Sequence, residues 1–149
     1  MVESLRRLAV LCVGLILLPD MSRAVSCEAL EGISALSVSN FAQTPAAPDA
    51  GAQCDVVRDL SGQRDFYCTW EYQFREQAAQ DRFDALQLAI TECFAGDLSV
   101  RNDPDVNHPD FYDLRQYRRG TLALSVSLKD KGDLQKTYVF LRIGQRPLE

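Results

Sequence analysis

The chain of 149 residues has few of the residue combinations on which enzymes depend. Its only histidine, His108, is distant in sequence from every cysteine, and no Cys-x-x-Cys pair occurs, so the usual zinc pattern is missing. There is no Gly-x-Ser-x-Gly elbow to set a serine beside that histidine, and no glycine-rich loop to hold phosphates. These absences favour a protein without catalytic activity and without a cofactor.

The chain also lacks an apolar run long enough to cross a membrane. Leu8 to Leu18 is unbroken, but it is about half the length of roughly twenty residues that a spanning helix needs. Two arginines precede this run, and small residues follow it at positions 22 and 24. This order is typical of a secretory signal peptide. We therefore interpret residues 1–26 as a signal peptide cleaved near 24–26, which predicts an exported protein, periplasmic or extracellular.

Three alternatives stay open for this segment. Two of them are a retained membrane anchor and a buried core helix, and the third is lipid attachment at Cys27. The sequence Ala24-Val25-Ser26-Cys27 weakly resembles the box of bacterial lipoproteins, in which a lipid-bearing cysteine follows small residues. Charged and polar residues at 20–23 separate the apolar run from this cysteine, and the usual leucine is missing. Cleavage without lipidation is the favoured interpretation.

Basic residues are the minority, and the chain has no polybasic run. The whole sequence has 16 Lys and Arg against 21 Asp and Glu. Residues 1–26 contain three of the arginines and two of the acids, so 13 basic and 19 acidic residues remain, with a net charge of −6. Such a chain repels phosphate backbones. We therefore expect no nucleic-acid partner, and no integral membrane segment in the mature chain, which is long enough for one domain.

Cysteine is scarce but even in number once Cys12 leaves with the signal peptide. An even number of cysteines in an exported chain argues for two disulfides. Four cysteines allow three connectivities, and spacing alone does not choose among them. The four are Cys27, Cys54, Cys68 and Cys93.

Changes of hydrophobic period predict four strands and one main helix. In DFYCTWEYQF every second residue is apolar, which is typical of a half-buried strand, whereas the following segment repeats its apolar residues every three or four positions. We therefore predict a disulfide-stabilised α+β domain over 54–149, a four-stranded antiparallel sheet in ββαββ order with one main helix packed on one face. Residues 27–53 are interpreted as an N-terminal segment and a Pro/Ala-rich linker. The predicted strands are 54–60, 65–74, 121–128 and 137–144, and the predicted helix is 75–94.

This arrangement favours one disulfide connectivity. Cys68 lies on the apolar face of its strand and Cys93 on the apolar stripe of the helix, so a bond between them would join helix to sheet. Cys27 and Cys54 would then form the second bond across the linker. The alternative joins Cys54 to Cys68 within the first hairpin and leaves Cys27 for Cys93.

Residues 101–113, RNDPDVNHPDFYD, contain the only dense cluster of possible metal ligands. Their acids are spaced like the start of a calcium loop, but the glycine at the sixth position and the glutamate at the twelfth are missing. We interpret the stretch as a structural loop, followed by a short helix from residue 110, and expect no metal. The weak candidate ligands are Asp103, Asp105, Asn107, His108 and Asp110.

The connection over 95–120 is long for a compact domain, and such loops are often functional. It ends at Tyr117, Arg118 and Arg119, beside the second face of the predicted sheet, on which Tyr67, Tyr138 and Phe140 lie. We expect the N-terminal segment to cover that face, and an open face would form an aromatic platform for a partner. These six residues are the predicted partner-binding set.

Three functions are compatible with the sequence. The favoured one is a small exported, periplasmic, disulfide-bonded binding or accessory protein without catalytic activity, and we expect it to have a protein partner. The second is a hydrolase or metal-dependent enzyme that uses the acidic 101–113 loop. The third is an envelope protein anchored by lipid at Cys27.

Overall fold

The structure is a computed structural model that describes residues 25–103 and 111–146. Two helices lie on one face of a six-stranded sheet in which every neighbouring pair of strands is antiparallel, in the order β1-β2-β6-β5-β4-β3. The α+β class is confirmed, but the described residues form six strands where four were predicted. The elements are α1 Cys27–Ser37, β1 Gln53–Arg58, β2 Arg64–Gln73, α2 Gln77–Cys93, β3 Ser99–Asp103, β4 Tyr112–Arg119, β5 Leu122–Lys131 and β6 Lys136–Gln145.

The interpretation of 95–120 as one long connection between the helix and the third strand is wrong, because this stretch contains two further strands of the sheet, β3 and β4. The predicted short helix from residue 110 is also wrong, since β4 begins at Tyr112. The side of β4 that faces the helices carries Asp113, Arg115 and Tyr117, and only the last of these is apolar. An alternating apolar pattern is therefore absent from the sequence of β4. Its strand conformation comes from pairing with β5 rather than from its own side chains.

The N-terminal segment forms α1, which packs beside α2 instead of on the second face of the sheet. Ser26 begins the helix by accepting a hydrogen bond at its Oγ from the backbone N–H of Ala29, at 3.2 Å. Leu30 and Ile33 are buried in the same core as the apolar side chains of α2. The expectation that this segment covers the second sheet face is therefore wrong. The two helices share the face occupied by Phe66, Cys68, Trp70, Leu124, Val126, Leu128, Val139, Leu141 and Ile143.

The prediction of two disulfides is confirmed, but the favoured connectivity is wrong and the alternative is the one present. Cys54 and Cys68 are direct partners in the β1–β2 register and are bonded, with their Cα atoms 4.1 Å apart. Cys27 at the start of α1 is bonded to Cys93 at the end of α2, with a Cα–Cα distance of 5.3 Å. The favoured pairing failed because it ignored α1, which brings Cys27 to the end of α2. Since Cys27 is bonded to Cys93, it has no free thiol for the lipid attachment that was the third interpretation.

The Pro/Ala-rich stretch before β1 is attached to the core through Asp49. The Asp49 carboxylate accepts hydrogen bonds from the backbone N–H of Gly51 at 2.8 Å and from Trp70 Nε1 at 3.0 Å. Its other oxygen lies 2.9 Å from Arg82 Nη1, and both charged side chains are buried. A segment with linker composition is thus held by a buried ion pair to β2 and α2.

The predicted signal peptide falls largely on residues 1–24, which lie outside the described residues. Val25 is buried and belongs to the core. Neither helix of the described ranges reaches the length and apolarity that crossing a bilayer requires.

Candidate binding site on the open sheet face

The sheet face turned away from the helices, here called the open face, brings together three of the predicted partner-binding residues. Tyr67 on β2 and the two aromatic residues of β6, Tyr138 and Phe140, lie there and are each half-buried. The ring centroids of Tyr67 and Phe140 are 5.5 Å apart, and those of Tyr138 and Phe140 are 5.9 Å apart with the planes inclined by 18°. Centroid distances of this size are favourable for aromatic pairs. The three rings form a continuous surface, which we call the aromatic row.

Tyr67 remains a neutral phenol over the physiological range. Burial raises the pKa of Tyr67 above its ordinary value. Its hydroxyl is therefore a hydrogen-bond donor as well as an acceptor at the edge of the aromatic row.

The other three predicted partner-binding residues separate in the structure. Tyr117 is 3% exposed and belongs to the core, so its side chain is not available at the surface. Arg118 alternates to the open face, whereas Arg119 is exposed at the end of β4, beside the turn into β5. The adjacent basic pair of the sequence is thus divided between two sides of the strand.

Beside the aromatic row lies a concave pocket of about 690 Å³ on the open face, here called the arginine pocket. Its floor consists of small residues on the two central strands, Ala123 and Ser125 of β5 and Gly144 of β6. The register sets Ser125 opposite Arg142, and Ala123 opposite Gly144. Guanidinium groups line the pocket from both sides, and they belong to Arg101, Arg118, Arg142 and Arg146.

Asp65 fixes two of these arginines. Its buried carboxylate accepts hydrogen bonds from Arg142 Nε at 2.6 Å and from Arg146 through Nη1 at 2.9 Å and Nη2 at 2.6 Å. Arg142 Nη2 contacts the same carboxylate. The hydrogen bond with Asp65 raises the pKa of Arg146 above its ordinary value, so this side chain stays cationic. One carboxylate therefore holds two positive charges in defined positions, and the trio keeps a net charge of +1.

Gly144 is required for this arrangement. Asp65 and Gly144 are direct partners in the β2–β6 register, and the carboxylate lies across the strand above the glycine. A Cβ atom at position 144 would stand 1.9 Å from Asp65 Oδ1, well inside any allowed contact. The missing side chain of Gly144 is what allows Asp65 to reach the two arginines.

We predict that Gly144→Ala lowers the free energy of unfolding by about 2–3 kcal/mol, because the new methyl group must displace the buried carboxylate. Thermal or urea unfolding measures this loss. Gly32→Ala is the matched control, since a Cβ there meets no atom within 4 Å and alanine is the better helix former. We expect this control to stabilise the chain slightly. Equal effects from the two substitutions would contradict the role assigned to Gly144.

The charges of the chain are unevenly distributed between its two sides. The helices α1 and α2 contain five acidic residues and a single basic one, Arg82, which is buried. On the open face, basic side chains outnumber acidic ones among the described residues. The acidic residues there are Asp55, Asp65 and Glu71. One of these, Glu71, is paired with Lys136 at 2.8 Å, and this hydrogen bond raises the pKa of Lys136. The basic residues of the open face are Arg101, Arg118, Lys129, Lys131, Lys136, Arg142 and Arg146.

Sequence reasoning missed the arginine pocket because its members are far apart in the chain. Arg101 lies on β3, whereas Asp65 lies on β2 and Arg142 on β6, and only the strand order brings them onto one face. One signal was present: every lysine of the sequence alternates onto the same face as Tyr138. With the correct register of β5 and β6, that alternation would have indicated a basic face.

The weak metal candidates were not brought together by any described feature. Asp105, Asn107, His108 and Asp110 lie outside the described residues, and of Asp103 only the backbone is described, at the end of β3. Within 25–103 and 111–146, no group of three or more histidine, cysteine or acidic side chains is placed to hold a metal ion. The metal interpretation of the 101–113 loop therefore stays an untested hypothesis.

Comparison with known proteins adds no family to this description. No family model matches the chain, and a search of curated proteins returns no similar sequence.

Proposed function

We propose that the chain is an exported, non-catalytic binding protein that contacts a protein partner through its open sheet face. The observation that carries this proposal is the position of both helices on one side of the sheet, which leaves the aromatic row half-exposed on the other. A sheet whose second face is polar needs no cover, but one that carries three packed aromatic rings exposes apolar surface at a cost in free energy. Contiguous surfaces of this kind often mark interaction sites.

The types of residue on the face support a protein partner. Tyrosine, tryptophan and arginine are enriched among the residues that contribute most binding energy in protein interfaces, whereas lysine and glutamate are depleted in interface cores. The open face combines Tyr67, Tyr138 and Phe140 with the arginine pocket, and the two sets meet because Tyr67 is the register partner of Arg142. An aromatic surface next to fixed guanidinium groups is the composition expected at the centre of such an interface.

The proposed location of the protein is the bacterial periplasm or another oxidising compartment outside the cytoplasm. Two disulfides are compatible with an exported protein, because such bonds form and persist mainly in oxidising compartments. The signal-peptide pattern of residues 1–26 supports the same location.

The proposal is tested by comparing two matched variants in an affinity purification from the exported fraction of the source cells. Changing Tyr138 and Phe140 to alanine removes most of the aromatic row, and we expect at least about tenfold less of the co-purifying partner, since truncation of interface aromatics is costly. Leu88→Ala is the control, because Leu88 is 58% exposed on α2, on the other side of the molecule. Melting temperatures of both variants establish that they are folded.

Equal recovery of the partner by the wild-type chain and the aromatic-row variant would contradict the proposal. Loss of the partner in the Leu88 variant alone would indicate that the interface lies on the side of the helices.

A further inference from the structure

We infer that the arginine pocket recognises an acidic segment of the protein partner through the carboxylate groups of that segment. This inference rests on the proposed function, since it names the chemistry that the same face would recognise. The carboxylates would be those of aspartate or glutamate side chains, paired with the guanidinium groups of the pocket.

The described side chains of the pocket carry an excess of positive charge. Among the described residues, the pocket is lined by four arginines and by one acid, Asp65, which binds Arg142 and Arg146. This excess of positive charge occurs in a chain whose net charge is negative, and on the face opposite the acidic helices. A positive concave surface attracts an acidic ligand, so charge complementarity favours an acidic partner.

Part of the pocket is also fixed before any ligand arrives. Asp65 binds Arg142 through Nε and Nη2, while 46% of the arginine side chain remains exposed. Arg146 is held by the same carboxylate through both of its terminal nitrogens. A guanidinium group that is already oriented loses less conformational entropy when it pairs with a carboxylate.

The shape of the pocket floor also suits a peptide ligand. Ala123 and Ser125 leave β5 without large side chains in the pocket, so a ligand can approach this strand closely between the arginines. Neighbouring strands lie about 4.8 Å apart, so the β6 and β4 sides of the pocket are separated by roughly 10 Å. This width admits an extended peptide whose side chains reach arginines on both sides. The Ser125 hydroxyl and the Gln116 amide supply polar partners for its backbone.

The aromatic row favours a peptide over a free inorganic anion or an acidic polysaccharide. An isolated phosphate would occupy the arginines and make no use of the three rings next to them. A protein segment contacts both, with its acidic residues in the pocket and its apolar residues on Tyr67, Phe140 and Tyr138. Apolar contacts on the aromatic row beside charged contacts in the pocket resemble the apolar centre and polar rim of ordinary protein interfaces.

The inference is tested by calorimetric titration of the oxidised chain with a short glutamate-rich peptide at low ionic strength. The same peptide with glutamine in place of glutamate is the ligand control. We expect binding of the glutamate peptide only, with an affinity that falls as salt is added, because exposed charges are screened. Inorganic phosphate and an acidic polysaccharide are titrated separately, to distinguish carboxylate recognition in a peptide from general anion binding.

The protein variants are chosen to keep Asp65 and its two partners intact. Changing Arg101 and Arg118 together to glutamine removes two positive charges from the pocket, and we expect the affinity for the glutamate peptide to fall about tenfold or more. Arg58→Gln is the control, because Arg58 is exposed and alternates to the face of β1 that is opposite the pocket. We expect this control to bind the peptide nearly as well as the wild-type chain.

Three results would overturn the inference: no binding of the glutamate peptide, equal binding by the pocket variant, or binding of phosphate or polysaccharide as tightly as the peptide. These outcomes are separate from failure of the proposed function. If the natural partner is lost on changing the aromatic row but kept by the pocket variant, the inference fails and the proposed function stands. If neither variant affects the partner, both fail.

Discussion

Replacing Cys27 and Cys93 with alanine will lower the free energy of unfolding by about 4 kcal/mol. The two cysteines are separated by 66 residues in the sequence, so their bond closes most of the described chain into one loop. Cross-linking a long loop removes much conformational freedom from the unfolded chain, and the loss grows with loop length. The bond also joins the start of α1 to the end of α2, so without it α1 depends on its own packing.

The Cys54–Cys68 bond provides the comparison. It closes a loop of sequence separation 14, for which the same argument gives about 3 kcal/mol, although Cys68 is fully buried and its truncation adds a packing loss. Urea unfolding of the two double variants measures both losses. Peptide mapping of the non-reduced protein tests the connectivity itself. A fragment in which Cys27 is linked to Cys54, or a loss below about 1 kcal/mol for the Cys27 and Cys93 variant, would contradict this assignment.

Changing Arg82 to methionine will cost about 3–5 kcal/mol of stability, since removing one partner of a buried ion pair leaves the other charge uncompensated. Arg82 and Asp49 have side-chain exposures of 7% and 9%. The Asp49 oxygen that faces Arg82 has no hydrogen-bond partner in the described part of the chain, so the nearby guanidinium supplies its compensation. The guanidinium also lies over the Trp70 ring, 5.3 Å from its centroid, and this contact is lost with the charge.

Asp49→Asn in the same chain is the matched rescue. Asparagine keeps an oxygen for the N–H groups of Gly51 and Trp70, and it removes the charge that Arg82 would otherwise compensate. We therefore expect the double variant to recover about 2 kcal/mol relative to Arg82→Met alone, measured by urea unfolding as a double-mutant cycle. Additive losses would mean that the two side chains do not interact, which would contradict the attachment of this loop through Asp49.

The elements with a strong hydrophobic period were predictable from the sequence. β2 carries an apolar residue at every second position from Phe66 to Tyr72, and α2 repeats apolar residues at helical spacing, so both were located to within a few residues. β4 was not predictable in this way. Its helix-facing positions include Asp113 and Arg115, which pair with each other, and Arg115 lies over the Phe83 ring at 5.7 Å. Polar residues that are compensated by tertiary contacts leave no apolar pattern in the sequence.

The candidate site was predictable only in part, for a related reason. The aromatic row follows from the alternation of β2 and β6, each of which is visible in the sequence. The arginine pocket depends on the order of strands in the sheet, because it joins residues of β2, β3, β4, β5 and β6. The position of α1 also depends on contacts across the chain, and it decides whether the aromatic row is covered. Local sequence patterns indicate neither the order of the strands nor the position of α1.

The most direct test that the open face binds a partner is a photo-crosslinking residue placed at position 140 of the exported chain, within the source cells. Phe140 lies at the centre of the aromatic row, so we predict that the probe captures a single protein partner there. The same probe at position 88, exposed on α2, should capture none. Capture at position 88 with none at position 140 would contradict the central claim that the open sheet face is the binding surface.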